Sequence, residues 1–179
     1  MVKPEDEERL FSSPCAVVDS SILFSFLSIG QLENLVRSFR PVLMTPLVYG
    51  EVKNPNQRTL VDGLVKRGLI ERVEPDIHES YCAAAMAQRA YGREVTDADR
   101  EAVAVARRRG CSLLFEDTPM GKVARDVGID TELTYNTVKC LKRLCSDGSL
   151  TVDQAQEHLK SINQRRIRRR LRPLVWEEN

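Results

Sequence analysis

The sequence predicts an α/β domain with a mainly parallel central sheet, and three observations carry that expectation. Short apolar runs alternate with stretches of helical periodicity along the chain, the pattern of a sheet wrapped by helices on both faces. The run CAVVDSSILF, residues 15–24, breaks off at Asp19 and continues in hydroxyl residues that open a helix, so that a carboxylate stands at the C-terminal end of a buried strand. Farther on, VTDADREAVAVARRRG has an AVAVA centre, which implies a helix buried on more than one face, and Gly110 closes it.

The remaining elements follow in order. Residues 21–28 and 32–39 read as two short helices divided by Gly30, with Pro41 stopping the second and Val42 to Met44 forming a strand. TPLVYGEV starts a helix near Pro46, a favoured first-turn proline, and places Glu51 about one turn into it. A helix over 57–67 and a strand over 69–73 complete a second α/β step, and residues 76–92 are an alanine-rich helical stretch with a loop at Tyr91 and Gly92. CSLLF gives a short buried strand over 112–115 that ends at Glu116 and Asp117, with a helix over 120–127 behind it. Residues 136–146 are amphipathic, and Thr151 with Gln154 makes a capping-box pattern for a last helix whose apolar stripe is Val152, Ala155, Leu159 and Ile162. The organisation expected is an N-terminal arm over 1–14, one domain over 15–146, and a C-terminal helix with a basic tail over 147–179.

Composition narrows the class. With 42% hydrophobic residues the 179-residue chain can bury one sizeable core. Its apolar stretches fall well short of the roughly 20 residues a membrane-spanning helix needs, and the charged start MVKPEDEERL does not resemble a signal peptide. A soluble, cytoplasmic protein without a membrane partner is expected. Five cysteines with no CxxC pair read as reduced core thiols, not as a disulfide framework or a zinc site. His78 and His158 lie in ordinary surroundings, which leaves serine-hydrolase and cysteine-protease schemes without a base. Gly121 and Gly128 are isolated, so no phosphate-cradling loop is present.

The net charge of +1 hides an asymmetry: Lys160, Arg165, Arg166, Arg168, Arg169, Arg170 and Arg172 stand in one run without an acid, and the chain without these seven charges would carry −6. Such a tail meets nucleic acid, an acidic partner, the body itself or water, and its removal is expected to leave a catalytic pocket intact.

Taken singly, the acids have ordinary roles. Asp19 caps the next helix, Asp99 is the third-position acid of a cap begun by Thr96, Glu51 and Glu101 are solvated helix residues, and Asp117 before Thr118 and Pro119 starts a turn. Their joint occurrence at element ends has a chemical meaning of its own. Carboxylates brought close together repel and take up protons unless a cation neutralises them, so the pocket they form suits magnesium or manganese. A haloacid-dehalogenase-like phosphatase would carry a second aspartate where Ser21 stands, and a phosphate receiver would carry paired acids after the first strand.

Asp19, Glu51, Asp99 and Asp117, in the segments VVDSSILFSFLSIGQLENL, TPLVYGEV, VTDADREAVAVARRRG and SLLFEDTPMGKVARDVGI, resemble the PIN-domain nucleases over roughly residues 15–145. Within that superfamily the combination looks closest to prokaryotic PIN proteins related to VapC-type toxins. The resemblance implies a three-layer PIN-like fold with a C-terminal helical extension. It implies that Asp19, Glu51, Asp99 and Asp117 form a catalytic, metal-binding cluster, with Glu116 as an auxiliary ligand, that holds Mg2+ or Mn2+. Many relatives carry serine or threonine where this chain has Phe115. The activity implied is metal-dependent cleavage of RNA phosphodiester bonds by an endoribonuclease, in a toxin-like setting with an antitoxin or other acidic protein partner; a homodimer is a further expectation. The alternative is a non-catalytic PIN-like module for nucleic-acid binding or assembly. Phosphate contacts fall to Arg93, Arg100, Lys122 and Arg125, and in the tail to Arg165, Arg166, Arg168, Arg169 and Arg170.

Overall fold

The computed structural model describes residues 13–88, 95–116 and 118–177. The N-terminal arm up to residue 12, the loop at Tyr91 and Gly92, Arg93 and Asp117 lie outside the described residues. In chain order the elements are β1 (Ala16–Val18), α1 (Ser20–Ser28), α2 (Leu32–Ser38), β2 (Val42–Met44), α3 (Pro46–Glu51), α4 (Pro55–Lys66) and β3 (Ile70–Arg72). They continue as α5 (Ile77–Ala87), α6 (Asp97–Arg109), β4 (Ser112–Leu114), α7 (Thr118–Asp126), β5 (Thr134–Tyr135), α8 (Thr137–Ser146) and α9 (Val152–Arg168).

All five strands run parallel in the order β3-β2-β1-β4-β5. Every residue of β1, β2 and β4 is buried, because parallel strands joined by helical crossovers are covered on both faces. On the edge strand β3 only Ile70 is buried, while the charged Glu71 and Arg72 are exposed, which discourages pairing with another chain. The register sets Val18 opposite Leu114, so the residues that follow β1 and β4 emerge side by side. From β1 the chain steps outward to β2 and β3, then crosses to β4 and β5 on the other side. The carboxyl ends of β1 and β4 therefore frame the switch point, where open sheets of this kind bind ligands.

Two sequence readings change. The structure joins Cys15 and Cys111 in a disulfide, with Cα atoms 4.7 Å apart, where reduced thiols were expected. The cause is the register: Ala16 lies opposite Ser112, so the residues just before two adjacent strands meet although 96 positions separate them. Cys82, Cys140 and Cys145 remain free. The strand β5 was not foreseen; its two residues pair with Leu113 and Leu114 and are too few to show a period.

Helix ends carry the expected signals. Gly110 ends α6 at φ 65, a left-handed conformation that favours glycine, and Thr96 with Asp99 forms a reciprocal capping box at its start. The same helix is anchored at its far end by a partly buried pair: Arg109 Nε donates to Glu79 Oε1 at 2.7 Å, and Glu79 is 1% exposed. The Arg109 guanidinium holds the Glu79 carboxyl below the ordinary glutamate value of 4.5. Stability from this pair is fully present above that value and is lost as pH falls through the lowered folded value. Glu79→Gln is expected to cost about 2 kcal/mol at pH 7, less than the roughly 3–5 of a fully buried pair, because Arg109 reaches solvent. Urea midpoints at pH 7 and pH 3.5 measure it, and the variant should lose less stability on acidification than the unaltered chain.

Candidate active site

Asp19 is the first residue beyond β1, and its backbone N–H still donates to Leu114 O at 3.0 Å. The side chain caps α1: Oδ1 accepts from Ile22 N at 2.8 Å, and Ser21 Oγ lies 2.9 and 2.7 Å from the two carboxylate oxygens. Ser21 Oγ also accepts the N–H of Glu116 at 3.2 Å, so one hydroxyl ties the end of β1 to the end of β4. Asp19 is 1% exposed. The capping role and the cleft position coincide in this residue.

Glu51 is the last residue of α3. Two contacts fix that short helix. Glu101 on α6 accepts the Leu47 N–H at 3.2 Å, supplying the N-terminal cap that Thr45 does not give, so Glu101 is not merely the solvated helix residue its sequence context implied. Tyr49 stacks between the guanidinium groups of Arg58 and Arg72, 4.1 and 4.0 Å from the ring centroid, and its hydroxyl donates to Asp62 at 2.7 Å. Glu51 itself is half-buried, and its carboxylate makes no hydrogen bond or ion pair among the described residues.

Asp99 sits at the third position of α6. Its Oδ2 accepts the Thr96 N–H at 2.7 Å, and its own N–H donates to Thr96 Oγ1 at 3.2 Å. Only Oδ2 is engaged in the cap.

Asp19, Glu51, Asp99 and Glu116 line one open cleft of about 590 Å3, together with Gln57, Thr96 and the serines of α1. These acids come from three separate helix ends and from the end of β4. The opposite wall is the C-terminal helix, which contributes Ile162, Arg165, Arg166 and Arg169. Arg166 is buried and pairs with Glu116, whose second oxygen accepts from Ser25 Oγ; the two partners are 8% and 9% exposed. Arg166 Nε donates to Arg172 O at 2.8 Å, and Asn163 brackets the Leu174 backbone with bonds of 2.8 and 2.7 Å, so the chain after α9 folds back on that helix. The basic run is therefore part of the cleft, and truncation before residue 165 would remove one of its walls.

The other expected phosphate contacts lie elsewhere. Arg100 is held by Val95 O and paired with Asp97, and it does not line the cleft. Lys122 and Arg125 on α7, and Arg168 and Arg170 at the end of the chain, are exposed and outside it. Phe115 is buried against α7, where a Cβ on Gly121 would lie 3.3 Å from its ring, and it does not line the cleft either.

The pairing of Glu116 with Arg166 was missed because 50 residues separate them. A signal existed. Ala155, Leu159, Ile162 and Arg166 recur at i+4, i+3 and i+4, so Arg166 continues the buried stripe of α9.

A doubly flanked parallel sheet with acids gathered at its switch point defines an α/β fold with a ligand cleft at the carboxyl ends of its strands. Residues 15–178 match the PIN-domain family, and the chain belongs to it. The match takes in the C-terminal helix. PIN domains are generally nucleases and typically use divalent metals. No curated protein matches the chain.

The donor set fits such a metal in kind, since hard carboxylate oxygens are the ligands magnesium and manganese prefer. Among the described residues, no group of three or more histidine, cysteine, aspartate or glutamate side chains is placed so as to hold a metal ion. No helix among them is long and apolar enough to cross a membrane.

Proposed function

We propose that the protein is a divalent-metal-dependent endoribonuclease, similar to VapC-type toxins, whose reacting phosphate occupies the cleft of Asp19, Glu51 and Asp99. The observation that carries this reading is their convergence: three carboxylates from three separate helix ends line one cleft at the switch point of the sheet. Asp19, Glu51 and Asp99 would hold the metal, with Asp117 added by family resemblance. When bound, a magnesium or manganese ion supplies Lewis-acid polarisation of the phosphate and an activated water. The chain's own contribution is orientation. Ser21 and the Ile22 N–H fix Asp19, the Thr96 cap fixes Asp99, and Glu101 with Tyr49 fixes the helix that ends in Glu51. Glu116 has its charge compensated by Arg166, so its part is to hold the wall of the cleft. An acidic protein, an antitoxin in the toxin-like case, is the partner proposed for Arg168 and Arg170, which are exposed outside the cleft, and a cytoplasmic location accompanies this reading.

The second reading, a non-catalytic module for nucleic-acid binding or assembly, is favoured by the spacing of the acids, of which no three are gathered around one ion position among the described residues. Cleavage decides between them. Single-stranded RNA and DNA of one sequence are incubated with the purified chain in Mg2+ and in EDTA. Internal cuts in RNA that need Mg2+, with DNA cut at least about tenfold more slowly, are expected, a difference of about 1.4 kcal/mol in barrier. Binding of RNA without cleavage in Mg2+ or Mn2+ would favour the module.

A further inference from the structure

The cleft has walls of unlike charge. Ile162, Arg165, Arg166 and Arg169 recur at i, i+3, i+4 and i+7 and so share one face of α9, and all four line the cleft. Arg166 is spent on Glu116. Arg165 gives one N–H to Ser28 O at 2.8 Å and keeps the rest of its fork, and the Arg169 side chain makes no hydrogen bond among the described residues. Both are exposed.

An independent observation lies at the acidic end. Ser20, next to Asp19, is 6% exposed, and its hydroxyl oxygen is buried without a hydrogen-bond partner among the described residues. Thr45 and Thr137 share that condition, but of the three only Ser20 lines the cleft. A buried hydroxyl without a partner lowers stability, and a ligand that accepts its hydrogen bond removes the deficit.

We propose that the cleft binds a single-stranded phosphodiester backbone between the Ser20 hydroxyl, beside the acidic floor, and Arg165 and Arg169 on the C-terminal helix. The choice of ligand rests on the nuclease reading, and the chemistry agrees with it. Guanidinium forks match phosphate oxygens in pairs. A polyanion approaching three carboxylates needs cations on the facing wall to offset their repulsion.

The test is RNA affinity in EDTA, measured by fluorescence anisotropy over a series of salt concentrations with the full chain. Without divalent metal, the result does not depend on whether cleavage occurs. The double variant Arg165→Gln/Arg169→Gln should bind at least about tenfold more weakly, and its log–log salt slope should fall by roughly 1.4, or 0.7 for each single-strand phosphate contact. Lys66→Gln/Arg108→Gln removes the same charge from exposed helix ends at the opposite edge of the sheet and should change affinity less than about twofold. Ser20→Ala should weaken binding about threefold to tenfold with an unchanged slope, because no charge is lost. Its melting temperature should hold or rise, whereas loss of a hydroxyl with a structural partner would lower it. Equal losses in the two double variants would overturn the proposal, as would no binding by the unaltered chain at the lowest salt. It would equally be overturned if Arg165 and Arg169 proved necessary for a polyglutamate peptide and not for RNA, which would make the wall a protein-docking surface.

Discussion

Asp19→Asn is expected to abolish metal-dependent cleavage while leaving the fold in place. The variant keeps one oxygen and nearly the same volume, and asparagine caps a helix as well as aspartate does, so the bond from Ile22 N at 2.8 Å survives. What disappears is a negative charge at a position 1% exposed, beside the end of β4. Losing a ligand that secures Lewis-acid help worth several kcal/mol corresponds to a fall of on the order of a thousandfold or more in rate. The melting temperature should stay close to that of the unaltered chain, or rise, because a buried carboxylate near other acids is costly. Near-normal cleavage by the purified variant would remove Asp19 from the reaction.

The second large effect is on stability. Arg166→Met leaves Glu116 as a buried carboxylate without its counter-charge, and removing one member of such a pair costs roughly 3–5 kcal/mol where both partners are under 10% exposed. The double variant Glu116→Leu/Arg166→Met removes both charges and should recover most of that loss, since apolar replacement of a buried pair is often neutral. Urea unfolding of the three proteins measures it. A single variant as stable as the unaltered chain would mean that the pair does not hold α9 against the cleft. The consequence for function is that this contact, together with the buried stripe of Ala155, Leu159 and Ile162 and the bond from Arg165 to Ser28 O, holds the end of α9 beside the acids.

The parts of the fold set by local signals were legible in the sequence. The four longer strands announced themselves as apolar runs bounded by turns, and Thr96, Gly110 and Thr151 marked helix ends through chemistry that acts within a few residues. That Asp19, Glu51 and Asp99 would face one cleft was legible because each stands at an element end, and the order of a parallel sheet brings such ends to one edge. What depends on long-range register was not. The Cys15–Cys111 bond follows from β1 lying beside β4, and the Arg166–Glu116 pair follows from α9 returning across the sheet edge. Glu101 belongs to the same class, because its cap is made on a helix 54 residues earlier in the chain. A basic run also looks alike whether it is solvated or packed, and only the phase of Arg166 with Ile162, Leu159 and Ala155 distinguishes the two.

If carboxylates on three separate elements act as one metal site, Mn2+ binding followed by electron paramagnetic resonance will register it without any need for turnover. The unaltered chain should take up Mn2+ with the signal of a bound ion, Mg2+ should displace it, and Asp19→Asn, Glu51→Gln and Asp99→Asn should each weaken binding at least about tenfold, or about 1.4 kcal/mol. Unchanged Mn2+ affinity in all three variants, or no bound Mn2+ in the unaltered chain, would contradict it.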